Sequence, residues 1–185
     1  SGAAYGGLDR MPDYQNVAAS SSELYYLLGH FHLSHLRKSL GAVEPEQGID
    51  WNVYASGAYD SKNIYPQVYT SLDAGLLLPF RNTSFWLRTA AGLSLDNTHE
   101  NSFNNFYFGG FGNNIIDYQS VSRYRNIESF PGLGINEAGG HKFIKTLGEL
   151  NLKPLYFKKL GFTFLYVTYA RLSLLGGGLY TTDLK

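Results

Sequence analysis

The chain has no cysteine. That excludes disulfides, thiol catalysis and cysteine-held zinc. Charge is scarce as well: Asp, Glu, Lys and Arg supply 16% of 185 residues, where ordinary soluble domains have roughly 25%. The formal net charge is +0 and the basic runs are no longer than "RK" or "KK", so a nucleic-acid partner is not expected. Long hydrophobic runs are missing too. An uncharged run such as 74–80 is far short of the ~20 residues of a membrane helix, and mean hydropathy is −0.20. No transmembrane helix is expected. Residues 1–22 contain no charged start followed by an apolar stretch, so no signal peptide is expected there; for an exported protein the expectation is a mature chain or an excised piece of one.

Aromatics and glycine are abundant, with Tyr 15, Phe 12 and Gly 21, and the regular segments alternate with period two. In "GIDWNVYASGAYD" (48–60) Ile49, Trp51, Val53, Ala55, Gly57 and Tyr59 form one face, and Asp50, Asn52, Tyr54, Ser56 and Asp60 the other. In "QVYTSLDAGLLL" (67–78) Val68, Leu72, Ala74, Leu76 and Leu78 oppose Gln67, Ser71 and Asp73. In "SFWLRTAAGLSLD" (84–96) Phe85, Leu87, Ala91, Leu93 and Leu95... oppose Arg88, Ser94 and Asp96. This alternation predicts strands with one apolar and one polar face. Further strands are predicted at 22–36, 102–110, 141–153 and 161–175, joined by Pro-, Gly- and Asn-bearing turns. No segment has the apolar stripe and caps of a helix.

The clearest of these runs are about twice the usual five or six residues of globular strands. A tilted strand crossing a bilayer needs ~9–11 residues, apolar outward and polar inward. Two architectures fit: a transmembrane barrel with its apolar face on lipid, or a soluble β-sandwich that buries that face and binds ligand through aromatics such as Trp51 and Trp86. Strand length and aromatic content favour the barrel.

Between two predicted strands lies a long aperiodic stretch. "FYFGGFGNN" (106–114), "RYRNIESFPG" (123–132), "EAGGHKF" (137–143) and "GELNLKPL" (148–155) follow one another in order. Together they resemble the C-terminal barrel portion of the BamA/TamA-type outer-membrane superfamily, the assembly-factor and secretion barrels of bacteria. The resemblance runs from Phe106 to Arg171. It departs from the family in lacking a contiguous Arg-Gly-aromatic motif: Arg123 and Arg125 are separated from Gly132. The resemblance implies an all-β, antiparallel transmembrane β-barrel, or a large part of one, with a long loop (111–140) folding back into the lumen. The whole of 1–185 is then one barrel domain or barrel fragment, with an irregular N-terminal segment at 1–21. It implies a place in the bacterial outer membrane and a non-enzymatic part in inserting or translocating proteins. The expected partners are outer-membrane lipid, client outer-membrane proteins and other envelope subunits. A passive barrel anchor or pore for a separate domain is the alternative.

An irregular loop is tolerated at membrane depth only where it lines a cavity, and Gly109, Gly110, Gly132, Gly139 and Gly140 permit its turns and close approaches. An arginine inside a lumen needs a carboxylate partner. Glu149 and Asn151 fall on the polar side of 141–153, so the expected loop-to-lumen contact is Arg125 or Arg123 with Glu149. A solvated surface loop is the simpler alternative. His30 and His32 share a strand face, but a metal site needs a third ligand and His35 points the other way, so no metal is expected. No G-x-S-x-G or H-E-x-x-H occurs, and nothing singles out a pair among Asp50, Asp60, Asp73, Asp96 and Glu149. No cofactor and no catalytic residue are expected.

Overall fold

The computed structural model describes residues 2–5, 24–60, 63–95, 105–110, 122–157, 161–162 and 165–183. The strands are β1 (Gly2–Tyr5), β2 (Leu24–Arg37), β3 (Gln47–Asp60), β4 (Asn63–Leu77), β5 (Ser84–Ser94), β6 (Phe106–Phe108), β7 (Ala138–Asn151), β8 (Leu155–Tyr156), β9 (Gly161–Phe162), β10 (Leu165–Tyr166), β11 (Tyr169–Ala170) and β12 (Ser173–Asp183). Eight of them form one sheet in the order β1-β2-β3-β4-β5-β7-β12, with β6 also on β7. All pairings in it are antiparallel. Among the described residues no pairing joins β1 to β12, so the sheet has two open edges. No described helix is long and apolar enough to cross a membrane, which has no bearing on strands.

The registers convert each strand's alternation into two continuous faces. Trp51 lies opposite Leu33 and Leu72, and Leu87 lies opposite Ala74. Ala91 lies opposite Ile144, and Ile144 opposite Tyr180. A one-residue slip at any pairing would move a whole apolar set to the wrong side. The second face carries Asp50, Asn52, Tyr54, Gln67, Ser71, Asp73, Arg88, Lys145 and Glu149, again strand beside strand.

The two faces differ in cover. The segment 122–137 lies over the polar face. Phe108, Ala138, Phe143 and Ala90 form the core there, ringed by Tyr69, Phe106, Ile127, Leu133 and Leu179. The apolar face is bare: Leu27 is 69% exposed, Leu76 63% and Trp51 41%, whereas Trp86 on the covered side is 4% exposed. No described element packs over Trp51 and its neighbours. A sandwich core would need that second layer.

Three expected elements differ. The strand at 161–175 is replaced by two short paired pieces, β8 with β11 and β9 with β10, and the long strand is β12 at Ser173–Asp183. Apolar residues fall at both parities in 161–170, so nothing orients that stretch on a two-faced sheet. β12 is hidden in sequence by Gly176, Gly177 and Gly178, because glycine weakens a strand signal. Gly177 is required where it stands, since a Cβ there would run into the backbone of Thr146 and Leu147 on β7. The strand at 102–110 is described only from 105 and is regular only at β6. β6 pairs with the start of β7, continuing the lane that β5 leaves at Ser94. Within the stretch expected to be irregular, 1–21, β1 pairs with Leu24–Leu27 of β2; residues 6–21 lie outside the described ones.

Candidate functional site

The connections 38–46 and 78–83, and the described parts of the connection from β7 to β12, leave from one end of the sheet, and the segment after β6 leaves from the other. Its return is anchored by Gly109 N–H to Glu128 O (3.1 Å), Phe130 N–H to Gly109 O (3.0 Å) and Gly110 N–H to Leu133 O (3.0 Å). Gly110 must be glycine, because a Cβ would meet the Leu133 carbonyl. Gly109 bridges to Ser129, Gly132 lies in the turn before Leu133, and Gly139 and Gly140 pair with β6. Residues 111–121 of the expected loop lie outside the described ones, and 138–140 belong to β7.

From there the segment runs down the covered face to a 3₁₀ turn at Arg123–Arg125. The partner it reaches, Glu149, lies nine positions along β7 from Gly140, or about 30 Å at strand rise. The Glu149 carboxylate is 0% exposed. Its oxygens accept from Arg88 Nε (2.7 Å), Arg125 Nε (3.2 Å), Arg125 Nη2 (2.6 Å) and the Tyr124 hydroxyl (3.0 Å). A carboxylate offers about four acceptor sites, so this one is saturated and acts as a tie rather than a base. Arg125 grips it with a two-pronged fork, the strong arrangement for arginine.

The tie extends both ways. Arg88 also donates to Asp73, directly opposite on β4, and lies 5.0 Å over the Trp86 ring. Arg125 Nη1 is 2.8 Å from Glu44, and Arg171 Nη2 is 3.0 Å from the same carboxylate. Asp73, Arg88, Glu149, Arg125, Glu44 and Arg171 thus alternate in sign across β4, β5, β7, the loop and two end connections. Burial of this many charges is tolerable because each is paired. Lys145, on the same face, donates to the loop carbonyls of Asn126, Ile127 (3.1 Å) and Ser129 (2.8 Å). Replacing it with methionine (Lys145→Met) leaves those acceptors without their cation. That is expected to cost roughly 1–3 kcal/mol and to speed proteolysis within 122–137 in the detergent-folded protein.

Of the residues expected at the loop-to-lumen contact, Arg125 and Glu149 are brought together. Arg123 is in the same turn, and its guanidinium meets none of the described acceptors. Asn151 is buried on the Glu149 side, but it accepts from the Ser173 hydroxyl (2.6 Å) on β12 rather than from the loop. Asp73, Arg88 and Lys145 complete the site from strand faces; Glu44 and Arg171 come from connections. His30 Nε2 is 3.1 Å from Asn52 Oδ1 and His32 Nε2 is 3.2 Å from Asp50 Oδ2. His30 also stacks on Tyr54, and Tyr54 on Tyr69, in a row across the polar face. No group of three His, Asp or Glu among the described residues is placed to hold a metal.

Electrostatics at the loop tip follow from the pairing. Burial works against the charge on Arg125, but Glu149 outweighs it and holds the guanidinium's pKa above its usual value. Partial burial would push Glu44 up; Arg125 first, then Arg171, reverse this and hold its carboxyl below the usual carboxylate range. A depressed folded pKa contributes stability that is present above the unfolded value, ~4.3, and lost as pH falls through the folded value. Urea midpoints measured in detergent should therefore fall below about pH 4.3, with a smaller acid loss in Glu44→Gln.

No family model matches the chain, and no characterised protein or solved structure matches it either.

Proposed function

We propose that this sheet is wall of a transmembrane β-barrel in the bacterial outer membrane, with the 122–137 segment held inside it, and that the protein takes part in inserting or translocating other proteins there. The carrying observation is an apolar face left bare across β2–β5, β7 and β12, opposite a polar face that is covered over β4, β5 and β7. Lipid is the solvent that suits such a face. Strands of 14 or 15 residues, as in β2, β3, β4 and β7, reach about 45 Å, or roughly 32 Å along the normal at a 45° tilt, matching a ~30 Å hydrocarbon core.

The insertion role draws on the resemblance of 106–171 to assembly-factor barrels. It also draws on the edges of β2 beyond Leu27 and of β12, which have no strand partner among the described residues. An unpaired edge accepts a client strand by main-chain hydrogen bonding. The test is to reconstitute the chain in phospholipid vesicles and follow the folding of an unfolded outer-membrane barrel added outside. The proposal expects faster folding than into empty vesicles. Equal rates, with the chain shown to be inserted, would reject the insertion role and leave a passive anchor.

A further inference from the structure

The apolar face is not uniform. Over its described side chains, the outward positions of β2–β5, β7 and β12 carry two formal charges: Arg37 at the short-connection end and Lys142 at the loop end. Beside Lys142 the surface sinks into a hollow of about 600 Å³, lined by Val68, Thr70, Ala91, Leu93, Ile144 and Tyr180 as well as Lys142 and Thr182. The registers explain it. Thr70, Ala91, Ile144 and Tyr180 form one cross-strand row, and the small Ala91 leaves a gap between its larger neighbours. Val68, Leu93 and Lys142 form the next row toward the loop end. Lys142 is exposed and makes no ion pair with a described residue, and its backbone N–H bonds the Thr182 hydroxyl (3.3 Å).

We propose that this hollow binds one anionic membrane lipid, with an acyl chain along Val68, Ala91, Leu93 and Ile144 and the headgroup phosphate on Lys142 beside Tyr180 and Thr182. The inference rests on the membrane reading of the apolar face and names a partner for it. Three features fit this occupant and not a generic apolar contact. The hollow is mostly apolar, its sole charge is positive, and that charge lies in the last outward row of β5, toward the loop end and the headgroups. A lysine here can extend its stem over apolar neighbours and present its ammonium to the interface.

The chain, folded in detergent, is titrated with phosphatidylglycerol or with phosphatidylcholine of the same acyl chains, and retained lipid is read by native mass spectrometry. The expected result is one retained phosphatidylglycerol, preferred roughly fivefold over phosphatidylcholine, the factor that one lysine contributes near an anionic surface. Lys142→Gln should abolish the preference, and Ala91→Leu, which fills the gap, should lower retention of both lipids. Equal retention of the two lipids by the unmodified chain, or an undiminished preference in Lys142→Gln, would overturn the site while leaving the membrane reading intact. A chain that stays in the aqueous phase with vesicles present would overturn both.

Discussion

Replacing Glu149 with alanine is expected to destabilise the protein by about 3–5 kcal/mol, the usual cost of removing one partner from a buried ion pair. Glu149 sits between two guanidiniums. Without it, Arg88 retains Asp73 and Arg125 retains Glu44, but the two arginines then face one another across an unfilled, water-poor space. Tyr124 loses its acceptor in the same step. Glu149→Gln keeps the volume and one acceptor oxygen, yet it removes the charge, so it should also be clearly destabilised. Arg125→Ala should cost less, because Glu149 keeps Arg88. Urea midpoints in detergent give the ordering. A loss under about 1 kcal/mol for Glu149→Ala would mean that the carboxylate is solvated, and the account of the loop tie would fail.

Leu72→Arg carries the second large effect, and its size depends on what lies outside the sheet. Leu72 is midway along β4 on the apolar face, opposite Trp51 on one side and Thr89 on the other. Against lipid, an arginine near the bilayer midplane costs about 2–4 kcal/mol, falling to about 0–1 near the interfaces. Ile64, at the loop end of the same strand and face, provides the shallow comparison. In water, arginine at a position already 40% exposed would be close to neutral. Folding free energies in phospholipid vesicles should therefore show a marked penalty at Leu72 and a small one at Ile64. Equal, negligible values at both would argue against a lipid-facing wall.

Much of this arrangement could be read from residue parity. Trp51 and Leu72 stand between polar neighbours, and Leu87 and Ile144 each have one, Arg88 and Lys145, which sets the faces of β3, β4, β5 and β7 without any knowledge of pairing. The same parity put Glu149, Asn151, Asp73 and Arg88 on the polar side. Parity within one strand carries no register, so it could not bring Asp73 opposite Arg88 or Trp86 opposite Glu149. The choice between Arg125 and Arg123 depends on a single 3₁₀ turn, which leaves no periodic trace. Glu44 and Arg171 were invisible for the same reason: both lie in connections, where only the folded chain brings them together at Arg125. β12 leaves a weak trace in sequence because Gly176, Gly177 and Gly178 have no side chains to alternate.

Trp51 and Trp86 are the chain's two tryptophans and sit on opposite faces, one bare and one buried. This makes a direct test of the central claim possible, that the apolar face is in contact with lipid. In the Trp86→Phe variant, inserted into vesicles of brominated phosphatidylcholine, Trp51 is the sole emitter. The account predicts blue-shifted emission, strong quenching by the brominated acyl chains and little quenching by aqueous iodide. Emission that ignores the brominated lipid and is quenched by iodide would place Trp51 in water and contradict it.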